Sequence, residues 1–190
     1  MPSAFGKPVT TANRFGAVAT PSAWTLVTTL TASNSASLTV TGLASTSYKN
    51  YALLFSGWLP ATSSDVEVRF STDNGATYPT TSTDWYLFYQ SGATTVAGGG
   101  ATGAANGYVF DDLNNASKTS GGGTLYFTYG VVGSARSQLF GMTAYYNSSS
   151  RQAPLIISAS FDSSTEVNAM KFQMTTGNIT NGTIKVYGIT

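Results

Sequence analysis

The sequence predicts an all-β protein: an antiparallel β-sandwich of jelly-roll-like type, preceded by an extended N-terminal arm. Three observations carry that prediction. Apolar and polar residues alternate along most of the chain, as the pleat of a half-buried strand requires. No segment holds apolar residues at three and four spacing for three turns, so helix is minor at best. Asn-Gly pairs at 74–75 and 181–182 adjoin strand-like runs, and Asn-Gly favours a type I′ hairpin because both central residues take positive φ.

Residues 1–22 come first and have no regular period. They carry Pro2, Pro8 and Pro21 among Thr and Ala, with apolar Phe5, Val9, Phe15 and Val18 irregularly placed. Such a segment reads as an extended arm, too apolar for an ordinary solvated tail and suited to ordering against a neighbour. Strand-like runs then follow at 24–30, 37–41, 51–58, 65–71, 85–90, 107–110, 125–131, 138–146, 155–161, 167–174 and 183–189. In "DVEVRFS", Val66, Val68 and Phe70 point one way and Asp65, Glu67, Arg69 and Ser71 the other, so a core face and a solvated face are expected. "YALLFSGW" and "APLIISASF" are apolar on both faces for part of their length, which suits strands in the middle of a sandwich or at a subunit contact. The last run is expected to pair with "VNAMKFQM" through the Asn181-Gly182 turn, so that the C-terminus is spent on the fold. Ile184, Val186 and Gly188 then share one face.

Residues 23–190 therefore read as one sandwich domain, of a size that buries a proper core. One stretch interrupts it. Residues 91–123 are rich in glycine and offer only one short strand-like piece, so a long loop is expected there, and such loops are usually functional or disordered.

Composition narrows the chemistry. Charged residues make up 9% of the chain, against roughly 25% in an ordinary soluble domain. The net charge is +1, with no run of either sign. Nothing therefore steers the chain toward nucleic acid or anionic lipid. Cys and His are both absent, which removes disulfides, thiolate metal sites, the commonest general base and the commonest transition-metal ligand. Neither a signal-peptide core nor a membrane span is apparent, so cytoplasmic synthesis without membrane insertion is expected.

Candidate catalytic groups are correspondingly thin. Asp65 and Glu67 stand two apart on one strand face, at the roughly 6.5 Å spacing of a glycosidase carboxylate pair; a solvated strand face is the simpler reading. Asp111-Asp112 with Asn114 and Asn115 offers calcium-type oxygens but no EF-hand spacing, and a turn at the start of the loop is expected instead. "GGGATG" and "SGGGT" lack a P-loop Lys-Ser/Thr. Without His there is no Ser triad, and no Ser-Lys pair stands out. No catalytic residue, metal or cofactor is assigned, and the chain is not expected to be an enzyme. Exposed aromatics are the remaining sites for contact with a glycan or another partner. Trp85, Tyr86 and Tyr89 in "TDWYLFYQ", with Tyr145 and Tyr146 in "AYYN", are the places to look. Neighbours in each run face opposite ways, so one of each pair must be core.

"VEVRFSTDNGATY", "DWYLFY" and "KFQMTTGNITNGTIKVYGIT" together resemble a loose group of tailed-bacteriophage virion structural proteins built on a β-sandwich module. In that group a strand ending Arg-Phe-Ser leads into an Asp/Asn-Gly turn and a Tyr, and the chain closes on Gly-Asn-Ile, a Gly turn and Tyr-Gly-Ile. The resemblance covers about residues 51–89 and 167–190; the arm and the glycine-rich middle are unmatched. It implies a non-enzymatic virion protein assembled in the host cytoplasm: a short tail appendage, a fibre module or a capsid decoration protein. No catalytic residues carry over. The arm, with Phe5, Val9 and Phe15, is then the docking element for other virion proteins, and a host-surface glycan is a candidate receptor. The strands also hold about ten aliphatic or aromatic side chains more than a two-layer core can take, so a homo-oligomer of closed symmetry is expected, with a trimer favoured. The alternative is a carbohydrate-binding module or lectin-like domain, marked by an exposed planar row of aromatics.

Overall fold

The computed structural model describes residues 23–44, 47–91, 95–116, 120–128, 130, 136–162 and 165–190, with the backbone alone for 89–91 and 95–96. The described residues form twelve strands: β1 (Trp24–Ser35), β2 (Ser37–Thr41), β3 (Asn50–Pro60), β4 (Ser64–Ser71), β5 (Thr83–Ser91), β6 (Thr95–Ala104), β7 (Gly107–Leu113), β8 (Gly121–Thr128), β9 (Ser137–Tyr146), β10 (Gln152–Phe161), β11 (Ala169–Met174) and β12 (Ile179–Ile189). They make two antiparallel sheets of unequal width. The large sheet runs β1-β12-β3-β8-β9-β10-β5-β6, and the small one β2-β11-β4-β7. The all-β sandwich expected from the alternation is thus the architecture, and the arm proposed for residues 1–22, with Phe5, Val9 and Phe15, lies outside the described residues.

The inner faces are those the alternation selects. Val66, Val68 and Phe70 of β4 are buried, and opposite them lie Tyr51, Leu53 and Phe55 of β3, Leu125 and Phe127 of β8, and Ile184 and Val186 of β12. Each such side chain contributes about 1.5–3 kcal/mol through removal of apolar surface from water. Aromatic edges stitch the layers together: Phe55 of the large sheet meets Phe172 of the small sheet edge-on with centroids 5.1 Å apart, and Phe70 meets Phe161 at 5.9 Å. The doubly apolar runs fall where expected, since β3 and β10 both have neighbours on each side.

Four expectations need correction. Asn181-Gly182 is not a hairpin turn: both residues lie within β12, where Gly182 pairs with Ala32 and Asn181 with Ser33. β12 joins the large sheet and β11 the small one, so the chain crosses between layers at 175–178, where Gly177 has φ +78°. Gly182 answers instead to close packing, because a Cβ there would stand 3.1 Å from the Trp58 indole, whose Nε1 donates to Thr183 O at 3.3 Å. The Asp73–Gly75 turn does form, with Asn74 at φ 58° and Gly75 at φ 91°. Yet it opens a crossover from β4 to β5 in the other sheet, not a hairpin.

The glycine-rich stretch is the third correction. Within 91–123, β6 pairs along β5, and Gly121–Gly123 begin β8 inside the large sheet. Glycine is a weak strand former by itself, but here rings and neighbouring backbone occupy the space a side chain would need. A Cβ at Gly121 would sit 2.6 Å from the Phe110 ring, and one at Gly123 would sit 2.4 Å from Met142 O. The fourth concerns β4, whose second face is only partly solvated: Glu67 is 4% exposed, because β11 and β7 flank it with Gln173 and Tyr108.

Candidate functional site

The outer face of the large sheet follows directly from strand register. Antiparallel strands place side chains in transverse rows about 4.8 Å apart from strand to strand. One row reads Leu26, Tyr187, Ala52, Tyr126, Phe140, Ser158, Tyr86 and Gly100 from β1 to β6. The next reads Thr29, Lys185, Leu54, Thr124, Met142, Ile156, Phe88 and Gly98. Two consecutive rows are therefore mainly apolar, with Lys185 their charged member. The row beside them is polar from Asn50 through Thr128, Gln138 and Ser160 to Asp84, and apolar at its other end, where Ile189 and Trp24 continue it. At the polar end Asp84 pairs with Arg136 at 2.8 Å, and Arg136 also reaches Asp162 at 2.9 Å.

These apolar side chains are exposed. Met142 keeps 57% of its surface, Phe88 58%, Tyr86 54%, Leu26 52% and Ile156 51%, with Phe140, Tyr146, Val27, Trp24 and Tyr126 behind them. Among the described residues, every large hydrophobic side chain exposed to this degree belongs to this one sheet. Neighbouring rings touch along the band: Trp24 meets Tyr187 at 5.9 Å and Tyr126 at 6.2 Å, and Tyr126 meets Phe140 at 5.8 Å. At the far edge Tyr86 lies over Gly100 and Phe88 over Gly98, since Cβ atoms on those glycines would come within 2.5 and 3.1 Å of the two rings. Aromatic cover of this kind lets glycine serve in an edge strand.

The sequence-selected aromatics divide as the pleat demands. Tyr86 and Tyr146 are exposed. Trp85 turns inward, half-buried and edge-on to Tyr108 at 4.9 Å. Tyr145 is core, packed against Phe110 at 5.7 Å, and burial with the nearby Asp111 charge pushes its hydroxyl well above the usual range. Tyr89 pairs with Leu155 and Ala97 through its backbone, and its side chain lies outside the described residues. Sequence reasoning passed over Phe88, Phe140, Met142 and Ile156. A signal was available in "QLFGMTAYY", whose two alternating sets are both apolar.

The carboxylates have structural partners. Asp65 Oδ1 accepts from the Asp112 amide at 2.7 Å. Glu67 Oε1 accepts from Arg69 Nε at 2.9 Å and Nη2 at 2.8 Å, and from Gln173 Nε2. The two acids thus answer to different networks. Asp112, at φ 59°, accepts from the Ser148 hydroxyl, and Asn114 donates to Asn147 O at 2.8 Å while accepting from the Ala116 amide at 2.6 Å. These bonds tie the end of β7 to the β9–β10 turn. Burial, with the charges of Asp65 and Asp112, raises Asp111 above the ordinary carboxylate range. Among the described residues no group of three or more acids could hold a metal ion.

No family model matches the chain, and no curated protein or solved structure matches it either.

Proposed function

We propose that this is a non-enzymatic structural protein of a bacteriophage particle, a short tail appendage, fibre module or capsid decoration protein, which docks through residues 1–22 and displays the sandwich. The observation that supports this reading best is the uncovered apolar band on the large sheet. A monomer that works alone in water rarely exposes an apolar patch above about 300–600 Å², whereas a protein that functions by packing into an assembly requires one. The resemblance of the 51–89 and 167–190 segments to virion β-sandwich modules supplies the particular assembly. Mass spectrometry of purified particles from the genome encoding the chain is expected to find it, and a variant starting at Pro21 is expected to fold but not to be incorporated. Particles without the chain would sink the reading.

A second reading, a carbohydrate-binding module, is favoured by one observation. Tyr86 and Phe88 are exposed rings laid over a glycine strand, and flat aromatic faces stack on the apolar side of sugar rings. Met142, Ile156 and Leu26 in the same band have no such use, which is why the packing role is preferred. A glycan array probed with the chain and with Tyr86→Ala separates the two readings: binding that the substitution removes would promote the second.

A further inference from the structure

The apolar band admits a more definite statement about what covers it. We infer that the outer face of the large sheet is an isologous interface, on which a second copy of this chain packs face to face about a two-fold axis. The inference rests on the packing role proposed above and names its partner.

Four observations carry it. The first is area. The ten exposed side chains from Trp24 to Ile156 present on the order of 1,000 Å² between them, given aromatic side chains of 150–250 Å² each. That exceeds the roughly 300–600 Å² of the largest patch on an ordinary monomer and matches the ~800 Å² that each partner contributes to a stable interface.

The second is charge. Lys185 is the charged residue of the two rows, and the flanking Asp84 is already engaged by Arg136. A basic or acidic partner would find little to recognise, while an identical apolar face fits. The third is layout. The band is apolar at its centre and polar along the Asn50–Asp84 row, which is the anatomy of a protein interface. It also sets bulky Met142, Ile156 and Phe140 near low ground at Gly122 and Ala144. A copy reversed by a two-fold can place its high ground over that low ground at the ~10 Å spacing of stacked sheets.

The fourth bears on the symmetry. A two-fold contact uses one self-complementary patch twice, the simplest use of a single uncovered face. Among the described residues nine of the ten exposed large hydrophobics fall on this single face by register, Val27 standing at the β1 bulge. On this inference the assembly is a dimer, where the sequence reading favoured a trimer.

Sedimentation equilibrium of the full chain over a wide concentration range tests the inference, alongside the double variant Met142→Lys/Ile156→Lys and a control, Thr176→Lys, in the exposed turn before β12. Both replaced side chains are more than half exposed, so the variant should keep its circular dichroism and a cooperative unfolding transition, its midpoint falling only by the association it has lost. The expected result is twice 19.8 kDa for wild type and control, with the double variant falling to a single chain. A wild type that stays monomeric, or a dimer that survives both lysines, overturns the inference. A trimer dispersed by the lysines overturns the two-fold. Finding the chain in particles despite a monomeric wild type would leave the virion reading standing, and a dimer absent from particles would do the reverse.

Discussion

The two outer faces of the sandwich occupy equivalent places in the fold and have opposite chemistry. The large sheet presents rings, Met142 and Ile156 across its strands. The small sheet presents Ser37, Gln173, Glu67 and Tyr108 in one row and Thr39, Lys171 and Arg69 in the next. There the polar groups satisfy one another: Glu67 holds Arg69 and Gln173, and Lys171 Nζ stands 4.4 Å from the centre of the Tyr78 ring. Burial and the neighbouring Arg69 lower the Lys171 pKa. In a chain with 9% charged residues, gathering several of them on the small sheet leaves the two apolar rows of the large face with Lys185 as their one charge, Asp84 and Arg136 being paired at the rim. The small face is complete as it stands. The large face leaves its apolar side chains in contact with water.

The contrast can be broken by substitution. The largest effect is expected at Arg69→Met, which leaves the buried Glu67 carboxylate without its cation and should cost about 3 kcal/mol in urea unfolding. Met142→Ser on the large face should change the stability of the dissociated chain by no more than about 0.5 kcal/mol, while weakening self-association. Equal effects at the two positions would end the comparison.

Acid sharpens it from the small-sheet side. Hydrogen bonds from Ser71, then from the hydroxyl and amide of Thr77, lower Asp73 from 3.8 to about 2. Its folded pKa lies below its unfolded one, so its contribution is complete above pH 3.8 and is lost as pH falls through about 2. Asp111 runs the other way. Its folded pKa is raised, so a penalty present at neutral pH is relieved as pH falls through that value. Carboxyl titration by NMR should find Asp73 titrating last and Asp111 early, and Asp111→Asn should slightly raise stability at pH 7. The smallest effect is expected at Gly99→Ala. A Cβ there would meet only the Leu87 and Trp85 side chains, at an ordinary contact distance of 3.8 Å, so stability should shift by under about 0.5 kcal/mol. A loss of β6 pairing in hydrogen exchange would contradict this.

What the sequence determined by itself was the class of fold and the inner faces. Alternation at Val66, Val68 and Phe70, or at Ile184 and Val186, is a local property, since the pleat forces every second side chain to one side and water expels the apolar set. The same rule required one of Trp85 and Tyr86, and one of Tyr145 and Tyr146, to be core, and the structure decided which. Tertiary structure decided everything that depends on which strand lies beside which. Asn181-Gly182 carries the letters of a hairpin, but β11 and β12 belong to different layers, and Trp58 explains the glycine. Gly98 and Gly100 read as loop because the rings that cover them come from β5, across a strand pairing that no local pattern records. Phe140 and Met142 show in the sequence only as an apolar second set of one strand: they become one band with Tyr86, Phe88 and Ile156 when register aligns their strands, and register is set by the burial of the opposite face.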